Sequence, residues 1–215
     1  MFAIVSIIVF LVVLGGICAH CVISSAVKGH RCRPMDIFKT LVHLFTLLFL
    51  EQKLTFVGVI RKLVYLLALL CFVILLITGF YPVLVRGEQL SGYLLMLHAT
   101  FAPVFAACLA ALAVMWADNC RFYRSDWPWL CRIVCSEAAN KEPAAPRRTL
   151  LQRICFWLIV ILALPVILSA VVNMFPLFGT TGQEFLLDAH RYSALLLSLV
   201  IIVHTYLVIQ AELRQ

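Results

Sequence analysis

Five uninterrupted apolar runs, each long enough to cross the roughly 30 Å of hydrocarbon in a bilayer, constrain what this chain can fold into more than anything else. They lie at 2–24, 63–85, 94–117, 154–177 and 186–209. Lipid offers the backbone no hydrogen-bond partner, so a run of this length crosses as a helix whose amides and carbonyls pair within the segment. Hydrophobic residues fill 64% of the 215 positions and charged residues only 13%, a balance no soluble core of this size requires. The expectation is an all-α integral membrane protein with five transmembrane helices. Met1-Phe2-Ala3 supplies no basic stretch ahead of the first run, and positive charge follows that run, so it is expected to stay attached as an anchor and not to be cleaved as a signal peptide.

The basic residues sort by loop. Seven fall within 25–62 (Lys28, Arg31, Arg33, Lys39, Lys53, Arg61, Lys62) and seven within 118–153 (Arg121, Arg124, Arg132, Lys141, Arg147, Arg148, Arg153), whereas the short loops 86–93 and 178–185 carry only Arg86. The positive-inside rule therefore places both basic segments in the cytoplasm, the N-terminus outside and the C-terminus, with Arg214, inside. The net charge of +7 is thus a topology signal. These charges flank membrane spans without interleaved stacking aromatics, which argues for a lipid surface and against nucleic acid as the partner.

Between the first and second runs, 36–50 is too short to cross. Ile37, Phe38, Leu41, Leu44, Phe45 and Leu48 recur at helical spacing with Lys39, Thr40, His43 and Thr46 on the other side, the pattern of a helix lying in the membrane interface. The chain divides into an N-terminal anchor at 1–24, a basic segment with its surface helix at 25–62, and a four-helix core at 63–215. Asn140 to Arg148 reads as a linker, and Trp127-Pro-Trp129 as an interfacial anchor. Of nine cysteines, Cys71, Cys108 and Cys155 lie within spans as small packing residues. Cys18-Ala-His-Cys21 is not a covalent heme motif, because Val22 stands where C-x-x-C-H needs histidine. Phosphate-binding glycine loops, H-E-x-x-H and G-x-S-x-G are all absent, which leaves hydrolytic and nucleotide chemistry without a foothold.

Histidine in the membrane remains. His190 and His204 stand fourteen residues apart in the last run. At about 1.5 Å and about 100° per residue they lie about 21 Å apart along the axis and within about 40° of one face. Histidine inside a span is costly and by default functional, and imidazoles at two depths on one face suit two stacked hemes. His98, just below the outer end of the third span, matches the depth of His190, so the two can share one iron. A six-coordinate, two-imidazole heme has no open position and suits electron transfer. Thr78-Gly79 and the stripe Ala99, Ala102, Ala106, Ala110, Ala113 either clear room for a macrocycle or pack helices. Arg191 and Arg86 either pair with heme propionates or snorkel to the interface.

The run Leu186–Ile209, with His190, His204 and Tyr206 in H-x13-H-x-Y, resembles the last helix of the membrane-bound b-type cytochromes of respiratory formate dehydrogenases and nickel–iron hydrogenases. The stretch from Arg61 through Ile77-Thr-Gly-Phe80 is similar to that family's first core helix, and Leu97-His-Ala-Thr to its second. The resemblance covers about 60–210. It implies a bacterial inner-membrane subunit with one or two b hemes, relaying electrons between an extracytoplasmic iron–sulfur or cytochrome subunit and membrane quinone. It also implies that His98 and His190 hold the outer heme and that His204 serves the inner one. Where the family has an inner histidine, near Lys62 to Tyr65, this chain has none. His20, His43 and His30 are the remaining partners for His204; depth favours His20. Alternatively the inner heme is missing and His204 serves a quinone or proton site. The rival functions are a heme-free membrane anchor of a larger complex, a stand-alone quinol oxidoreductase of the cytochrome b561 type, and a proton-relaying transporter. The sparse polar inventory of the spans disfavours the transporter.

Overall fold

The computed structural model describes residues 2–28, 56–122, 147–175 and 178–212, all in helices or their connecting turns. The surface helix expected over 36–50, with His43, lies outside the described residues, as do His30 and the Trp127–Trp129 anchor. Five long helices follow one another: α1 (Phe2–Lys28), α2 (Phe56–Tyr81), α3 (Gly92–Trp116), α4 (Arg147–Asn173) and α5 (Gly179–Glu212). Each is long and apolar enough to cross a membrane, as the hydropathy predicts. The helices overrun the apolar runs. α2 and α4 each begin seven residues earlier than expected and α5 both starts earlier and ends later, because hydropathy marks the hydrocarbon slab while backbone pairing continues into the polar interface. α4 instead stops at Asn173, short of the expected 177 and just ahead of Pro176, whose ring disfavours helix in the residue before it.

Polar contacts near the helix ends fix the directions. Thr78 meets His98 at one end of the α2–α3 pair, and the Arg61 guanidinium donates to the Met115 carbonyl at the other (3.2 Å). His190 meets Val166 at one end of the α4–α5 pair, and the Gln152 amide donates to the Leu207 carbonyl at the other (3.0 Å). α2 and α4 therefore run opposite to α3 and α5. We call the end holding His98 and His190 the upper end. Arg61 satisfies one of the terminal carbonyls that the end of α3 leaves without an intrahelical partner.

The two antiparallel pairs α2–α3 and α4–α5 make the core, where Cys71, Phe72, Phe105, Ile159, Leu197 and Ile201 interlock. α1 packs outside this bundle, along α5 and the upper end of α2, through Phe2 against Phe80 and Tyr192 and through Phe10 against Phe80. Only 6% of its apolar span is buried, against 28% in α4 and α5. It presents Ile4, Leu11 and Val12 to the surroundings, as a helix bathed in lipid must. Above α2 the chain passes through a π-helical turn, Pro82–Arg86, closed by Gly87 at φ 67°, a left-handed conformation that glycine adopts without a Cβ penalty.

A candidate heme site between two imidazoles

The upper half of the core brings His98 of α3 and His190 of α5 together in an edge-to-face arrangement, with ring centres 6.5 Å apart and planes at 77°. Their hydrogen bonds define which nitrogen of each ring is available. The Thr78 hydroxyl donates down its own helix to the Ile74 and Leu75 carbonyls (2.8 and 3.3 Å), so towards His98 Nδ1, 2.9 Å away, its oxygen is left to accept. The proton on that ring accordingly sits on Nδ1. His190 Nδ1 lies 3.1 Å from the Val166 carbonyl, which can only accept, so this ring also carries its proton on Nδ1. Ser169 Oγ stands 3.4 Å from the same nitrogen while donating to Pro165 and Val166. Both imidazoles are left with Nε2 as a bare lone pair, and with the orienting donor bond that metal-ligating histidines make through the other nitrogen.

This donor set fits one iron. A metal–imidazole bond is about 2 Å and a ring centre lies about 1 Å behind its nitrogen, so two imidazoles on opposite sides of a metal have centres about 6 Å apart. Gly79 packs closely on the His98 ring, where a Cβ would meet Cε1 at 3.2 Å. The glycine thus clears room for the ligand ring itself, and Thr78 beside it holds that ring. The alanine stripe of α3 divides: Ala99 and Ala110 are exposed, while Ala113 lines a cavity lower in the bundle. The buried face of α3 is Phe105, Cys108 and Leu112. Arg191 is ion-paired one turn back with Asp188 at 3.5 Å, and Arg86 pairs with Glu88 at 3.4 Å.

Fourteen residues down α5, His204 has a different setting. It lines an apolar cavity of about 70 Å³ formed by α2, α3, α4 and α5, and its buried Nδ1 has no hydrogen-bond partner among the described residues. His20 does not reach it. His20 Nδ1 bonds the Tyr206 hydroxyl at 2.7 Å, and Gln210 joins the same hydroxyl. Tyr206 lies two residues beyond His204, about 200° round the helix, so α1 and His20 sit on the far side of α5. Depth made His20 the favoured partner of His204; the placement of α1 outside the bundle separates them. Where the family has an inner histidine, this chain has Tyr65, which lines the same cavity as His204. The placement of Tyr65 at this cavity was not foreseen from the sequence.

Among the described residues no three His, Cys, Asp or Glu side chains converge as a metal cluster. Cys71, Cys108 and Cys155 are buried as free thiols in the core, while Cys18 is exposed. Below α3, burial pushes the Cys120 thiol up from its ordinary range against the opposing pull of Arg153, which keeps it protonated and a poor metal ligand near neutral pH.

An all-helical membrane bundle with two neighbouring imidazoles buried between its helices is compatible with a membrane cytochrome b. Residues 62–215 match the family described as prokaryotic cytochrome b561, in agreement with the resemblance to the hydrogenase cytochromes. The chain belongs to that family and is a multi-pass bacterial membrane cytochrome of electron transport, a class that carries heme b. No curated protein and no solved structure matches it.

Proposed function

We propose that this chain is the membrane electron-relay subunit of a quinone-linked redox complex, with heme b held between His98 and His190. The observation that carries this reading is the pair of imidazoles 6.5 Å apart, each with its Nδ1 within hydrogen-bond distance of a protein oxygen. Bound there, heme supplies single-electron exchange at iron. The chain's own residues do the rest. His98 and His190 would hold the iron from two sides, and a heme so held would offer no open site to oxygen or substrate. Thr78 and the Val166 carbonyl fix the tautomers and the ring orientations. The surrounding helices exclude water and lower the local dielectric.

Lys28, Arg61, Lys62, Arg121 and Arg153 at the lower ends of the described helices support, by the positive-inside rule, a cytoplasmic lower end and a heme near the outer surface, within reach of an iron–sulfur or cytochrome partner outside. Arg191 and Arg86 stand at the same end, where their charge serves propionates or a partner surface. The connections from α2 to α3 and from α4 to α5 are too short to build a catalytic domain, so the substrate chemistry belongs to that partner. The test is to add a quinol to the oxidised, purified chain and follow the heme absorption. Reduction in the wild type, and no heme absorption in His98→Ala or His190→Ala, is expected. A wild-type chain that purifies without heme would remove the relay reading and leave the heme-free anchor.

A further inference from the structure

The lower end of α3 sits among cations with little negative charge to balance them. Arg61, near the start of α2, donates to the Met115 carbonyl at 3.2 Å. The Trp157 indole of α4 donates to the Cys120 carbonyl at 2.9 Å, which brings Arg153, one turn before Trp157, to the same end. Lys62 and Arg121 stand there too. Among the described side chains of this end Asp118 is the one carboxylate, and it is exposed and in no ion pair. Arg61 itself is half-buried, meets no carboxylate among the described residues, and keeps its Nε–H buried without an acceptor. A guanidinium carries a permanent charge, and a charged donor withdrawn from water without an acceptor is costly.

The side chains around Arg61 indicate where its anion comes from. Val57, Ile60 and Leu63 on α2, and Val114 next to Met115 on α3, are exposed and apolar, the surface a membrane helix shows to acyl chains. Tyr65 against Trp116, with ring centres 5.5 Å apart, and Trp157 mark this level as the membrane interface, where such amphipathic rings gather. An arginine that merely snorkelled would carry its whole fork out to water, whereas that of Arg61 turns in to the Met115 carbonyl between lipid-facing side chains. The anion found at this depth beside acyl chains is the phosphate of a phospholipid.

We propose that Arg61 binds the phosphate of an anionic phospholipid at the seam of α2 and α3, with the acyl chains along Ile60, Leu63 and Val114. A guanidinium offers parallel N–H donors to two phosphate oxygens, so the Nε–H gains its acceptor while one Nη stays on the Met115 carbonyl. A lipid of net negative charge fits better than a zwitterionic one, whose own ammonium competes for the same phosphate. Lys62, Arg121 and Arg153 at the same end add attraction for a negative headgroup. The site lies at the opposite end of the bundle from His98 and His190, and it stands or falls independently of the heme reading.

The test uses the full chain in detergent micelles, with binding of phosphatidylglycerol and of phosphatidylethanolamine bearing the same acyl chains measured by native mass spectrometry. The wild type is expected to retain phosphatidylglycerol in preference, with affinity about tenfold lower in Arg61→Gln by loss of the charged hydrogen bonds. Arg61→Lys, which keeps the charge and loses the fork, is expected to fall between the two, and it carries the test if Arg61→Gln does not fold. Equal retention of the two lipids by the wild type would overturn the proposal, and so would an unchanged phosphatidylglycerol affinity in the Arg61 variants. Displacement of the lipid by inorganic phosphate would assign the place to a free anion instead. Dependence on Arg61 that emerges only in Glu51→Gln would show that a carboxylate of the chain itself occupies the guanidinium, and would overturn the proposal as well.

Discussion

Two histidines on one face of α5 meet opposite fates. His190 has its Nδ1 bonded to the Val166 carbonyl and looks across 6.5 Å at a second imidazole; His204 has a buried Nδ1 without a partner and borders a cavity. The helix, the residue type and the face are the same, so the difference comes from the neighbours. At the upper level α2 and α4 supply a hydroxyl whose proton is already spent and a carbonyl with a spare lone pair. At the lower level no described residue takes up the His204 Nδ1. An imidazole becomes a ready metal ligand when a second group takes up its other nitrogen, and spacing along a helix says nothing about that group.

The contrast is broken most severely by removing a ligand. His98→Ala or His190→Ala is expected to reduce the heme measured as pyridine hemochrome from about one per chain to nearly none, while His204→Ala retains it. Equal loss in all three would erase the distinction between the two levels. Thr78→Val keeps the shape and deletes the acceptor, stranding the His98 Nδ1–H in the bundle. Heme affinity should fall about 10- to 100-fold, read from heme transfer to apomyoglobin, with Thr78→Ser restoring it. Gly79→Ala should act more gently. The added Cβ, 3.2 Å from His98 Cε1, forces a shift of a few tenths of an ångström, worth about 0.5–1 kcal/mol or about two- to fivefold in the same transfer assay. Ser169→Ala should have the smallest effect, within about twofold, because the Val166 carbonyl still holds His190. A larger effect of Ser169→Ala than of Thr78→Val would show that the hydroxyl, and not the carbonyl, orients His190.

The bundle itself was legible because lipid leaves a 20-residue apolar segment one structural option. The helix ends were not, since α2 pairs its backbone beyond the hydrophobic slab and α4 stops ahead of Pro176. His98 and His190 were legible as a pair from matched depth alone. What held them was hidden. Thr78 and Gly79 stood out as small residues near the right level, but whether they face a macrocycle, a helix or a ligand ring depends on the rotation of α2, which apolar residues all round that helix do not encode. The choice of His20 as partner for His204 used depth and had no means of fixing azimuth. α1 carries lipid-compatible residues on every side, so only its contacts with Phe80, Tyr192 and Tyr206 reveal that it packs outside the core.

The central claim is that His98 and His190 together hold one iron, and electron paramagnetic resonance of the oxidised wild-type chain tests it most directly. Imidazole planes 77° apart leave the iron dxz and dyz orbitals close in energy, which predicts a single, highly anisotropic low-spin ferric signal. A high-spin ferric signal in place of it would show that the two imidazoles do not share the metal, and the account would be wrong at its base.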